Sequence, residues 1–140
     1  MTILKKNCVQ NELLASHTSW KIGGTADIFF SPNSRDELSE FLKSNDCSIT
    51  WLGNGTNILV RDGGVRGAVI STKKSFNSIQ LLDRSNCKVE AGVSCFELAM
   101  HATKNNFGPA AFFSGIPGSI GGALTMNAGC FGHETWEFVK

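Results

Sequence analysis

The chain has 140 residues, 41% of them apolar, with 13 basic residues set against 12 acidic ones. That size gives one domain or a part of something larger, and the apolar content supports a packed core rather than disorder. Charge is nearly balanced, with Lys73-Lys74 the densest basic cluster, which gives no electrostatic support for nucleic acid or an anionic membrane as partner.

Residues 1–7 lack the apolar core of a secretory leader, and the odd, scattered set of five cysteines suits a reducing cytoplasm, the expected compartment. No apolar run reaches the ~18–20 residues of a membrane span. Thr25-Ala26-Asp27-Ile28-Phe29-Phe30 reads as a strand stopped by Ser31-Pro32. Ser34 and Glu37 form a capping box that opens a helix with Leu38, Phe41 and Leu42 on one face, ending near Asn45. A strand from Cys47 to Leu52 follows, then the bend Gly53-Asn54-Gly55-Thr56-Asn57. After it come the short apolar run Ile58-Leu59-Val60, a turn at Asp62-Gly63-Gly64 and a strand from Gly67 to Thr72.

Residues 76–82 and 87–91 pair as a hairpin around Asp83-Arg84-Ser85-Asn86. A second capping box, Ser94 to Glu97, starts a helix that reaches about Asn106 and is stopped by Gly108-Pro109. The chain then enters Ser114-Gly115-Ile116-Pro117-Gly118-Ser119-Ile120-Gly121-Gly122-Ala123-Leu124-Thr125-Met126-Asn127-Ala128-Gly129, which is rich in glycine and carries no charge. Ser119 is placed to N-cap a short helix there. The order of elements favours α+β over a regular parallel βαβ sheet.

Two glycine-rich bends interleaved with apolar residues suggest backbone that approaches something flat or phosphorylated. In the first, Gly53 and Gly55 free the backbone so that successive amides face pyrophosphate, and Thr56 and Asn57 add side-chain donors. A tight turn between strands is the competing explanation. A P-loop needs a Lys after the glycines, and none follows. A Rossmann fingerprint needs a third glycine, a helix and an acidic residue about 20 positions on, where this chain has Lys73. In the second bend, Gly118, Gly121 and Gly122 remove side chains where a ring or phosphate lies, with apolar contact from Ile116 and Ile120 and hydrogen bonds from Thr125 and Asn127. Close helix–strand packing is the alternative for these glycines.

The chain resembles the family of bacterial UDP-N-acetylenolpyruvoylglucosamine reductases, also called UDP-N-acetylmuramate dehydrogenases. The matching pieces, in order, are His17-Thr18-Ser19-Trp20-Lys21-Ile22-Gly23-Gly24-Thr25-Ala26-Asp27, Leu52-Gly53-Asn54-Gly55-Thr56-Asn57, Arg61-Asp62-Gly63-Gly64-Val65-Arg66-Gly67, Gly115-Ile116-Pro117-Gly118-Ser119-Ile120-Gly121-Gly122 and Met126-Asn127-Ala128-Gly129-Cys130-Phe131-Gly132. The resemblance spans residues 11–134 and implies an α+β fold of the flavin-binding vanillyl-alcohol-oxidase (PCMH) type, with mixed sheets and flanking helices. Residues 1–60 would form an N-terminal α/β subdomain and 61–140 the start of a second, incomplete one, with the substrate-binding domain absent.

The resemblance further implies non-covalent FAD. Gly53, Asn54, Gly55, Thr56 and Asn57 would cradle its pyrophosphate. Ile116, Pro117, Gly118, Ser119, Gly121 and Gly122 would pass along it, with Asn127 and Gly129 nearby. Thr18 and Lys21 read as mainly structural. The implied reaction runs from NADPH through the flavin to the enolpyruvyl double bond of a UDP-sugar, in peptidoglycan-precursor synthesis. The arginine, glutamate and serine that the family uses for it fall beyond the matched segment. The arginine belongs to a Tyr-Arg-x-Ser motif, and this chain has no tyrosine. The expected catalytic set in this chain is therefore empty and the chain alone inactive. Two other readings stay open: a non-catalytic flavin-fold module acting through association, and another FAD-dependent oxidoreductase of the same superfamily.

After Met126-Asn127-Ala128-Gly129 the family usually carries Ala-Tyr-Gly-Gly-Glu, where this chain has Cys130-Phe131-Gly132-His133-Glu134. The five cysteines show no CxxC pair or zinc spacing, so no metal site is expected. Uncovered strand edges are expected to drive self-association.

Overall fold

The computed structural model describes residues 7–140. It divides into two compact units, one ending at Ser75 and the other beginning at Phe76.

The first unit is built on a four-stranded sheet. Its strands are β1 (Cys8–Leu13), β2 (Thr25–Phe30), β3 (Ile49–Leu52) and β4 (Val65–Ser71), in the order β1-β2-β4-β3. β2, β4 and β3 run parallel and β1 is antiparallel to β2, which gives the mixed sheet expected of α+β. Helix α1 (Arg35–Lys43) joins β2 to β3. Ser34 Oγ accepts the Glu37 N–H at 3.1 Å as its N-cap. The Glu37 carboxylate does not close the box, however. Its oxygens accept from the Asn33 amide at 2.8 Å and from Asn7 Nδ2 at 2.6 Å, tying the helix start to the segment before β1.

Side chains alternate across the sheet. Phe30, Ala68 and Ile70 face Phe41 of α1, and the two phenyl rings stack at 4.2 Å. Ala26, Phe29 and Val69 face the other way, onto Leu14, Leu52 and Val60. A bulge between Ala26 and Ile28 makes this division possible. Gly67, at φ +94°, sits in it, with its amide on Asp27 Oδ2 at 2.9 Å and Arg66 paired to Asp27 at 2.8 Å. The division between units keeps β4 with its sheet partners, whereas the sequence placed the boundary after Val60. A turn closed by Ser75 N–H to Thr72 O (3.1 Å) ends the unit and leaves Lys73 and Lys74 exposed.

The second unit holds the expected hairpin, β5 (Ile79–Leu81) antiparallel to β6 (Cys87–Val89). Helix α2 (Cys95–Lys104) has a complete capping box between Ser94 and Glu97. A 3-10 stretch (Gly108–Gly115) packs Phe112 and Phe113 against Leu98 and Ala99 of α2. Helix α3 (Ile120–Met126) adds Ile120 and Ala123 to that core. A short ribbon, β7 (Gly129–Cys130) with β8 (His133–Glu134), follows. The sequence did not signal this ribbon, nor strand β1.

Candidate functional site

β3 delivers the chain to its C-terminal end at Leu52, and residues 53–60 continue without regular structure. Gly55 adopts φ +68°, and a Cβ there would run into the His17 carbonyl oxygen. The Gly55 carbonyl accepts the Ser19 amide at 2.9 Å. Residues 17–19 are thus seated directly on the middle of the bend. His17 is itself fixed, with Nε2 2.7 Å from Glu12 Oε1 and its ring stacked on Phe29 at 4.1 Å. With its carbonyl taken up, the bend still has its donors free. Among the described residues, the amides of Asn54, Gly55, Thr56 and Asn57 meet no acceptor, and the side chains of Asn54, Thr56 and Asn57 make no hydrogen bond. Consecutive unpaired N–H groups around a left-handed glycine are the arrangement that receives an anion.

The second glycine-rich stretch is different. Ile116 N–H closes the 3-10 stretch on Phe113 O at 3.1 Å, and its side chain is half-buried on the core. Pro117 is exposed. The Gly118 carbonyl accepts from Cys95 N–H at 2.9 Å. Ser119, 1% exposed, N-caps α3 by accepting the Gly122 amide at 3.4 Å. The amides of Ile120 and Gly121 donate to the carbonyls of Val93 (2.8 Å) and Ala91 (2.9 Å). The first three amides of α3 are therefore spent within the unit, and this helix start presents no open anion site. Gly121 is closely packed, since a Cβ would come 3.1 Å from Ala91. Gly122 is not: a Cβ there meets only Ser119 Oγ at 3.5 Å, and its surface stays open. Of the two explanations for these glycines, close packing accounts for Gly121 and leaves Gly122 free for a ligand.

At the far end of α3, Asn127 is the C-cap in the left-handed region, φ 46°. Its Nδ2 donates to Glu134 at 2.7 Å and its Oδ1 accepts the Trp136 amide at 3.0 Å, so this side chain ties the ribbon to the helix. Thr125 Oγ1 donates back to Gly121 O at 2.9 Å. Gly129 has its Cβ space filled by the His133 carbonyl at 2.8 Å, and Gly115 is pressed against Cys130 and Phe131. Thr135, 1% exposed, donates through both N–H (3.0 Å) and Oγ1 (2.7 Å) to Ala128 O. Sequence reasoning missed that anchor, because its partner lies seven residues away across an unforeseen ribbon. His133 Nδ1 lies 3.1 Å from Glu137, and this hydrogen bond holds the Glu137 carboxyl below the usual carboxylate range. Burial pushes the Cys95 thiol up to about 11, so it is no nucleophile at neutral pH. No group of His, Cys, Asp and Glu suited to a metal ion occurs among the described residues.

The site residues read from the sequence thus divide between the two units, 53–57 in the first and those from Ile116 onward in the second. Residues 26–140 match the family model described as FAD binding domain. Over 134 residues the chain is 45% identical to the UDP-N-acetylenolpyruvoylglucosamine reductase of Methylococcus capsulatus, covering 94% of this chain and 44% of that protein. It is 46% identical over 131 residues to the reductase of the same name from Legionella pneumophila strain Paris, covering 92% and 43%. Among solved structures it is similar to the UDP-N-acetylenolpyruvylglucosamine reductase of Thermus caldophilus, with a TM-score of 0.72 at 32% identity over 91% of this chain and 45% of that one. The chain spans less than half the length of each of these relatives.

Proposed function

Since this chain belongs to the FAD binding domain family, we propose that it is the flavin-holding portion of a UDP-N-acetylenolpyruvoylglucosamine reductase. On this reading the parent reaction takes electrons from NADPH and delivers them to the enolpyruvyl group of a UDP-linked sugar, in the cytoplasm, during peptidoglycan-precursor synthesis. FAD, when bound, supplies the two-electron chemistry of that transfer.

The observation that carries the reading is the run of unpaired amides from Asn54 to Asn57. Those four N–H groups hold the cofactor's diphosphate, with Thr56 and Asn57 adding side-chain donors and Gly53 and Gly55 admitting the phosphates to the backbone. Within the second unit, the proposal assigns cofactor contact to Ile116, Pro117, Gly118 and the open surface at Gly122. Ser119, Gly121, Asn127 and Gly129 keep that face in shape. No residue here is assigned a proton transfer, since the family's arginine, serine and glutamate have no counterparts in the matched pieces. The same reading includes self-association through exposed strand edges.

The test is the visible spectrum of the purified, desalted chain. A flavin absorbance pair that survives desalting is the expected result, with no NADPH oxidation on adding the enolpyruvyl UDP-sugar. A folded, colourless chain that stays colourless after incubation with FAD overturns the assignment.

A further inference from the structure

We propose that Lys21 is a ligand-binding residue of the cofactor site, supplying a cation to the diphosphate held by residues 53–57; this rests on the reading just given. Lys21 stands on a tight turn closed by its own amide on Thr18 O at 3.3 Å and by Thr18 Oγ1 on Ile22 O at 3.2 Å. Thr18 is 2% exposed and anchors the turn. Its neighbour Ser19 donates to Gly55 O, and the His17 carbonyl abuts Gly55. The turn is therefore mounted on the bend whose amides lack acceptors. It presents Trp20, Lys21 and Ile22 to solvent.

The structural role assigned to this signature divides between two residues. Thr18 fulfils it. Lys21 has no hydrogen-bond or ion-pair partner for its side chain among the described residues. It also occupies φ +57°, a region where an unbranched non-glycine residue is disfavoured and glycine is at ease. The left-handed backbone therefore costs the fold something that glycine would not, and an exposed ammonium on this turn is the feature that glycine would lose. The nearby carboxylates are engaged elsewhere, Glu12 with His17 and Asp27 with Arg66 and the Gly67 amide. On the 61–64 turn, which packs beside Gly24, Arg61 and Asp62 are exposed and opposite in sign. Lys21 thus keeps an uncompensated positive charge on the turn seated against this bend, and backbone amides joined by an ammonium are a matched pair for a diphosphate.

The test is equilibrium titration of the chain with FAD and with riboflavin, which lacks the diphosphate, followed by flavin fluorescence at low and high salt. Lys21→Met is expected to weaken FAD about tenfold, the scale of one partly screened charge-assisted contact, and to flatten its salt dependence. Riboflavin binding should be unchanged and Lys21→Arg should retain FAD. Lys43→Met, on α1, makes the same change in net charge and should leave FAD binding as it was. Lys21→Gly should raise the melting temperature while losing FAD affinity, a combination that a purely structural lysine does not produce. Equal FAD affinities for the parent and Lys21→Met overturn this inference alone. A parent chain that binds neither flavin overturns the site itself.

Discussion

Gly55 and Gly122 show how glycines alike in a sequence differ in physical role. At Gly55 both the left-handed backbone and the His17 carbonyl oppose a side chain. Gly55→Ala is expected to cost about 2–4 kcal/mol, from the left-handed penalty plus overpacking, read as a fall in the urea midpoint. Gly122 lies inside α3 with only an ordinary contact to Ser119 Oγ. Gly122→Ala should therefore stabilise the fold by up to about 1 kcal/mol through helix propensity, yet weaken FAD binding by covering the open face. A stabilised variant with unchanged FAD affinity would remove Gly122 from the site. The spacing of the glycines was enough to single out both stretches, though only the first holds a left-handed glycine and the second folds largely as helix. It could not reveal that Ala91 fills the space beside Gly121, or that Val93 and Ala91 consume the α3 amides. Those contacts join residues nearly thirty positions apart, and no local pattern encodes them.

Where a helix begins is written in four adjacent residues, which is why both long helices were legible. In α2 the box closes fully: Ser94 Oγ accepts Glu97 N–H at 3.1 Å, while the Glu97 carboxylate takes Ser94 N–H at 3.0 Å and Ser94 Oγ at 2.6 Å. Ser94→Ala should cost about 1 kcal/mol, seen in thermal melts. The bonds from Ser94 hold the Glu97 pKa below the ordinary carboxylate value. A carboxyl whose pKa is lowered on folding contributes stability above its unfolded pKa, near pH ~4.3, and loses it as pH falls through the folded value. Glu97→Gln should therefore melt closer to the parent at acid pH below that range than at neutral pH. A constant gap across the range would refute the assignment. β1 was illegible for an equally physical reason. It is an edge strand reading Cys-Val-Gln-Asn-Glu-Leu, mostly exposed, and it lacks the apolar alternation that marks a half-buried strand. The two-residue strands of the β7–β8 ribbon are too short to carry any period.

Within each unit, among the described residues, large apolar side chains stand exposed on the outer strands. β1 and β3 flank the first sheet, with Val9, Leu13 and Trp51 exposed on them. Among the described residues β5 and β6 form a sheet of two strands, with Leu81 and Leu82 exposed beside the turn. A two-stranded hairpin is marginal by itself, and open edges are templates for another chain. Light scattering should report a mass that grows with protein concentration, and Trp51→Lys should shift it back toward one chain. A single-chain mass at every concentration would refute self-association. The curated relatives are more than twice as long as the matched segment.

The turn that ends at Ser75 has one more consequence. Each side of it owns a separate apolar core, and the only lysines in the connecting stretch, Lys73 and Lys74, stand in the open. The chain therefore carries a perforation where trypsin reads it, and brief digestion should tear it there into two pieces, each keeping its own folded interior.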